Sequence, residues 1–446
     1  MSETAKATVC ALTLGWSSWA LADDSHYQNF LAGEKAAGMG GAYTAVANDP
    51  SGTYYNPAGL VDTNASTLSA SLNFYGLQQA SLQNALGPGG GDIFNRFGAA
   101  VSQLNAVPGL AGSINGIGEP RSDGTYQQAW ALSVMVLDDT ALTQTSTQVI
   151  DGQLKSLSTT NLDLTTWFGL GYARRIDDAW SVGASLNAFY RNYSSRQRTI
   201  NATPPAPGTT PQTYALDDIT LDVSVLGIAL ELGVIWRPLP KLWLGASLST
   251  PTLKLYGSGS TDQVQASGGG LTETTLVNLT GDTEFPFHGR LGAAYRYSPF
   301  AFFTADLSFW AATSYQLVSG STVTGAQLTD FVNNVQRNFT VNLNLGGQWK
   351  LFRQLPFRAG LFTNFASSPK VNNGPEPQLS HVNLYGFTLG FTLPQKHTET
   401  TLGILFSYGQ GTSQTPHNGS DGSLFYTPTT SDILFLNFYV GGSFSF

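Results

Sequence analysis

Metal or thiol chemistry in this chain would have to be built from five histidines, at positions 26, 288, 381, 397 and 417, and one cysteine, Cys10. No histidine has a partner at metal-ligand spacing. No H-E-x-x-H, C-x-x-C, G-x-S-x-G or phosphate-loop pattern occurs either. A Ser–His pair can be assembled from distant strands, as in an outer-membrane lipid hydrolase, but nothing in the spacing marks one. The reading is therefore a non-enzyme, with no cofactor and no metal. The other candidates are arginines: Arg191, Arg290 and Arg296 fall at one parity of strand-like segments, on the face turned away from apolar neighbours. Each could hold a ligand carboxylate or pair with an acid such as Asp163 or Asp222. Trp167 and Phe189 share that parity and could line an apolar pocket.

Only strands can position these side chains. The chain has 446 residues with 49 Gly, 26 Phe, 18 Tyr and 9 Trp, yet only 11% are charged and the mean hydropathy is −0.06. Aromatics and glycine exceed the usual share of a soluble protein. Beyond the amino-terminal stretch no window approaches the roughly 20 consecutive apolar residues of a membrane helix. Any bilayer crossing must then use strands, which hide their hydrophobicity in every second position. From Ser431 to the terminal Phe446 this alternation is unbroken, with Leu434, Leu436, Phe438, Val440, Phe444 and Phe446 on one face.

Residues 1–22 read as a signal peptide: Lys6 opens it, Ala7 to Ala20 is mostly apolar, and Ala20-Leu21-Ala22 forms an A-x-A cleavage site before Asp23. Cys10 lies inside it, so the mature chain has no thiol. Its loss removes one acid, Glu3, and one base, Lys6, and leaves the net charge at −8. With no basic stripe to neutralise phosphates, a nucleic-acid partner is not expected.

From residue 66 onward fourteen segments show period-two patterning. The first seven run 66–79, 126–138, 140–150, 159–176, 179–198, 213–236 and 241–256. The others run 284–297, 301–318, 337–351, 355–366, 380–393, 399–409 and 432–446. Short turns, among them Asp138-Asp139, Asp177-Asp178 and Pro394-Gln395, alternate with longer polar links. An antiparallel barrel with one end toward the periplasm gives that alternation and places both termini there. The fold class is thus all-β: a membrane-spanning, antiparallel, fourteen-stranded barrel over residues 66–446. Two stretches break the pattern. Residues 80–125 form a long loop, in which Asp92 could cap a helix presenting Phe94, Phe97, Val101 and Leu104. Such a helix could offer a ligand a greasy landing surface or pack on the barrel rim.

The second stretch, residues 23–65, is glycine-rich and runs from Gly38 through Gly40, Gly41 and Asn48-Asp49 to Asn56-Pro57-Ala58. It closely resembles the amino-terminal hatch of the FadL family of outer-membrane transporters for long-chain fatty acids and hydrocarbons. Gly171-Tyr-Ala-Arg174, Ala179-Trp-Ser-Val-Gly183 and the aromatic last strand extend the likeness over nearly the whole mature chain. The resemblance implies a monomer plugged by its own hatch, with a ligand that leaves sideways near a kinked third strand. It implies long-chain fatty acid as first substrate, and aromatic or alkane hydrocarbon as the alternative. The expected surroundings are outer-membrane lipid and lipopolysaccharide, reached through the barrel-assembly machinery and the C-terminal strand, in a Gram-negative cell. On this reading Ala141–Ile150, polar on both faces, is the weak wall. An adhesin or structural outer-membrane protein whose long loops do the work is the reading of another class.

Overall fold

A pleated strand sends successive side chains to opposite faces, so an alternating sequence builds a wall that is apolar on one side and polar on the other. In the computed structural model, which describes residues 25–28, 30–82, 99–100, 106–150, 153–203, 213–267, 270–320, 331–351, 355–418 and 424–446, fourteen such strands close into an antiparallel barrel. The first six are β1 (Thr67–Leu82), β2 (Ala106–Ile117), β3 (Gln128–Ile150), β4 (Gln153–Arg175), β5 (Trp180–Thr203) and β6 (Thr213–Leu239). β7 comes in two pieces, Leu242–Ser249 and Leu253–Ser267, and so does β8, Gly270–Gly281 and His288–Ser298. β9 (Ala301–Trp310), β10 (Thr340–Leu351), β11 (Leu355–Asn364), β12 (His381–Pro394), β13 (Thr398–Asn418) and β14 (Leu424–Ser445) complete the ring. β14 pairs with β1 from Thr67↔Ser445 to Leu82↔Ser431, which leaves no free edge at the closure.

The face rule holds along the strands. On β4, Leu162, Leu164, Phe168, Leu170 and Tyr172 point out, while Asp163, Thr165 and Trp167 are buried inside. On β5, Trp180, Val182, Leu186 and Tyr190 point out and Ser185, Asn187 and Arg191 point in. Trp180 stacks on Trp236 of β6 at the turn end, with ring centroids 5.4 Å apart, an amphipathic pair of the kind that marks a membrane interface.

The count of fourteen is right but two of its members are not. Asp138 and Asp139 do not turn the chain; they continue β3, pairing with Thr165 and Leu164, so the segments 126–138 and 140–150 are one strand. The missing strand is β2, inside the stretch read as a loop. It pairs with β1 (Thr67↔Ile114) and with β3 (Ile117↔Gln128). Within the span read as a helix, Ala99 and Ala100 pair with Gln79 and Gln78 as strand. Phe94, Phe97, Val101 and Leu104 lie outside the described residues. Nor is the short-long alternation strict: β3 and β4 pair out to Ile150↔Gln153, and the two upper pieces of β7 and β8 out to Ser267↔Gly270.

Two lapses in the wall pairing lie beside the aromatic residues of the interior. β2 and β3 pair only as far as Leu110↔Met135; beyond a bulge at Leu137, β3 pairs with β4 alone. Between Ser249↔His288 and Gly259↔Leu279, β7 and β8 also part. There Thr252 bridges the breach. Its N–H donates to the Phe285 carbonyl and its Oγ1 accepts from the Phe285 N–H, each at 3.0 Å. The Phe285 ring turns inward.

Candidate functional site

The segment ahead of β1 lies inside the barrel and has little secondary structure of its own: α1 (Glu34–Gly38), α2 (Gly52–Tyr55) and a 3-10 turn over Pro57–Asp62. A chain so irregular leaves most of its backbone groups without internal partners, and buried ones must be satisfied. The inward polar residues of the strands do this. Ser185 and Asn187 donate to the Thr53 carbonyl at 2.5 and 3.2 Å, Ser247 to Tyr55 at 2.9 Å, Asn344 to Gly40 at 2.5 Å and Thr388 to Gly38 at 3.1 Å. Asp306 accepts the Tyr43 and Thr44 N–H groups, both at 2.7 Å.

The residues singled out in this segment have distinct tasks. Gly40 and Gly41 sit at φ of 63° and 80°, in the left-handed region, and a Cβ on Gly40 would lie 3.1 Å from the Leu361 backbone. Asn56 caps the turn, its Oδ1 accepting from the Ala58 N–H at 3.0 Å, while its Nδ2 donates to the Thr44 and Val234 carbonyls at 2.9 and 3.1 Å. Pro57 occupies the first turn position, where its missing N–H leaves nothing unsatisfied. Pro57 and Ala58 press so closely on Gly183 of β5 that no side chain fits there. Gly38 packs against Arg358 and the Tyr439 hydroxyl.

Two spaces lie on either side of this segment. On the side away from the turns, Tyr27, Tyr54, Leu137, Trp167, Phe285, His288, Trp310 and Glu231 line a cavity with about 30 Å³ of free volume. That is room for about two water molecules. Trp167, Phe189 and Phe285 form a three-ring cluster with centroids 5.2–5.3 Å apart. Tyr27, Trp310 and His288 make a stacked column at 5.4 and 6.0 Å. The lapse at Leu137 opens beside this cavity. On the turn side, a vestibule of about 920 Å³ is lined by Lys35, Tyr43, Asp62, Arg175, Arg237, Arg296 and Arg358, among others.

The three candidate arginines fall at three different sites. Arg191 lines the aromatic cavity but is held in a two-pronged grip by Asp163, both side chains being buried, and it also reaches Thr283. Arg290 donates to the Tyr54 carbonyl at 2.9 Å, lies 4.2 Å over the Tyr54 ring and stands 3.5 Å from Glu231. Arg296 is in the vestibule, 3.7 Å over the Trp243 ring. The alternative of pairing with an acid describes Arg191, with Asp163 rather than Asp222. Trp167 and Phe189 do come together, Phe189 behind Trp167. Phe285, Trp310 and Glu231 escaped the sequence reading and His288 was weighed there only as a metal ligand, although Glu231 carried a signal: a lone acid between the outward Leu230 and Leu232 can only point in.

No family model matches the chain, and no curated protein does. Solved structures do. The toluene transporter TodX of Pseudomonas putida aligns with a TM-score of 0.64 at 13% identity, covering 95% of this chain and 99% of that one. A Pseudomonas aeruginosa FadL homologue aligns at 0.59 and 12% identity, covering 94% and 100%. The monoaromatic hydrocarbon channel CymD aligns at 0.57 and 15% identity, covering 94% and 99%. These alignments take in nearly the whole chain, and the chain has the fold of the FadL family.

Proposed function

We propose that this protein is an outer-membrane channel through which small aromatic molecules diffuse passively, gated by the segment at residues 23–65 acting as a hatch. The observation that carries the reading is the aromatic cavity lying against the unpaired seam between β2 and β3. Burial of apolar area at about 25 cal/mol per Å² draws a hydrophobic molecule out of water into such a cavity. The seam then offers a way into lipid at the level of Leu137, on the third strand but nearer its middle than Ala141–Ile150. With so little free volume at rest, the ligand must displace something, and the Phe30 N–H to Leu137 carbonyl bond, 3.1 Å long, ties the hatch to the seam. Release of that bond couples hatch movement to lateral exit.

The chain would be exported by its signal at residues 1–22, inserted through its C-terminal strand, and act as a monomer. A long-chain fatty acid fits this geometry less well. Of the three candidate cations, Arg191 and Arg290 are engaged by the protein and Arg296 lies beyond the hatch. Uptake of radiolabelled toluene and oleate, in cells with and without the gene, tests the reading. Toluene uptake should fall sharply without the gene and oleate uptake should not; a loss of oleate uptake alone restores the fatty-acid reading, and no loss of either leaves the adhesin. Deleting residues 23–58 should leave an open pore or abolish gated uptake, and normal transport by that variant would end the role of the hatch.

A further inference from the structure

Beside the aromatic rings, the cavity presents a polar corner that none of the contacts described so far completes. Glu231 of β6 is 1% exposed, its Oε1 has no hydrogen-bond partner, and it lines the cavity together with His288 of β8. The Pro286 backbone beside the His288 ring can only accept, which favours the tautomer with its proton on that side. The other ring nitrogen, Nε2, has no partner. It stands 3.7 Å from Glu231 Oε2, too far for a hydrogen bond. Stacking against Trp310 fixes the plane of the His288 ring, and the Arg290 guanidinium lies behind Glu231, 3.5 Å from Oε1.

Glu231 and Nε2 of His288 thus face one small cavity, and Nε2, unlike the carboxylate beside Arg290, Ser247 and Ser249, has no partner there. Resting on the channel reading above, we propose that Glu231 and His288 form a hydroxyl-binding corner that selects neutral aromatic alcohols or phenols over both hydrocarbons and carboxylic acids. A ligand O–H donates to Glu231, to Nε2 of His288 or to both, while its ring lies against Trp167, Phe285 and Trp310. A hydrocarbon leaves the two acceptors as they are. A carboxylate brings further acceptors and an unpaired charge to a buried site, which excludes it. The discrimination thus rests on a donor that only the hydroxylated ligand supplies.

The test is equilibrium binding of p-cresol, toluene and p-toluate to the full-length barrel in detergent, followed by uptake of the same three into proteoliposomes. The wild type should bind p-cresol about threefold to tenfold more tightly than toluene, the range of one hydrogen bond, and p-toluate more weakly than either. In His288→Phe, which keeps a ring to stack on Trp310, the cresol-to-toluene ratio should fall toward one, and in Glu231→Gln, which keeps the shape and an amide oxygen, it should fall part of the way. His288→Gln, retaining an amide oxygen as acceptor, should keep part of it. Equal affinity for p-cresol and toluene in the wild type, or a ratio unmoved in both single variants, overturns the corner and leaves the channel standing. If the barrel binds and passes none of the three, the channel reading fails with it. Should Glu231→Gln not fold, His288→Phe alone decides.

Discussion

The two spaces divided by the inner segment differ in almost every physical respect. One is narrow, about 30 Å³, and walled by aromatic rings; the other is about 920 Å³ and charged. In the vestibule Asp62 is gripped by Arg175 and Arg237, all three largely buried. An apolar molecule leaving the aromatic cavity gains nothing by descending among those ions, which keep their water or their partners. Sideways, through the seam at Leu137, it meets hydrocarbon. On the channel reading proposed above, the contrast favours a lateral path over a vertical one, with the vestibule a structural footing for the inner segment rather than a corridor.

Variants that strike each side should separate these roles. Asp62→Ala leaves two buried guanidiniums without a counter-charge, and should cost about 3–5 kcal/mol in denaturant unfolding of the detergent-folded barrel. A loss below about 1 kcal/mol would mean the vestibule pairing is not a footing at all. Next comes Glu34, buried in α1 above that vestibule, whose carboxyl is pushed up to about 7, chiefly by burial and then by Asp49. Between pH 4.5 and about 7 the unfolded chain has given up this proton while the seated segment keeps it, so the unfolded state binds fewer protons. Seating is therefore firmest below 4.5, weakens as pH rises, by at most about 1.4 kcal/mol per pH unit, and levels off above 7. Glu34→Gln should flatten that slope in unfolding midpoints taken across the range; an unchanged slope assigns it to another group.

Asn56→Ala removes the cap on Ala58 and two carbonyl contacts, and should cost about 1–2 kcal/mol. Limited proteolysis should then cut the inner segment sooner in Asn56→Ala than in the wild type, and equal rates would show that other contacts hold it. The smallest effect belongs to the second lapse in the wall. Thr252→Val takes both Oγ1 bonds to the Phe285 backbone, at 3.0 and 3.4 Å, from the breach between β7 and β8, about 1 kcal/mol. Toluene uptake should be unchanged. A large gain would move the exit from the β2–β3 seam to this one.

The wall was legible because parity is a local property: the outward leucines of β4 and the inward Asn342 and Asn344 of β10 declare themselves within a few residues. β2 was not, because Pro108, Gly109, Gly112 and Gly116 punctuate it and its apolar residues are too sparse to set a period. Asp138-Asp139 looked like a turn because paired acids are common in turns; the bulge at Leu137 shifts the register there instead. Parity also found Trp167, Phe189, Arg191 and Arg290 on the inner face. It could not say which inward residues meet, since Trp167, Phe285 and Trp310 come from three strands and converge only when the barrel closes. Arg296 shows the same limit, having the right parity at the wrong depth.

The bonds that seat the inner segment have a consequence for how the molecule is made. Nearly every carbonyl named there is held by a side chain from a strand synthesised later, from Ser185 on β5 to Thr388 on β12. The first portion of the chain to be translated is thus the last that can take its shape, and it must wait, unformed, for its mould. What is cast in this way can also be loosened piecemeal, one carbonyl at a time trading a strand donor for water.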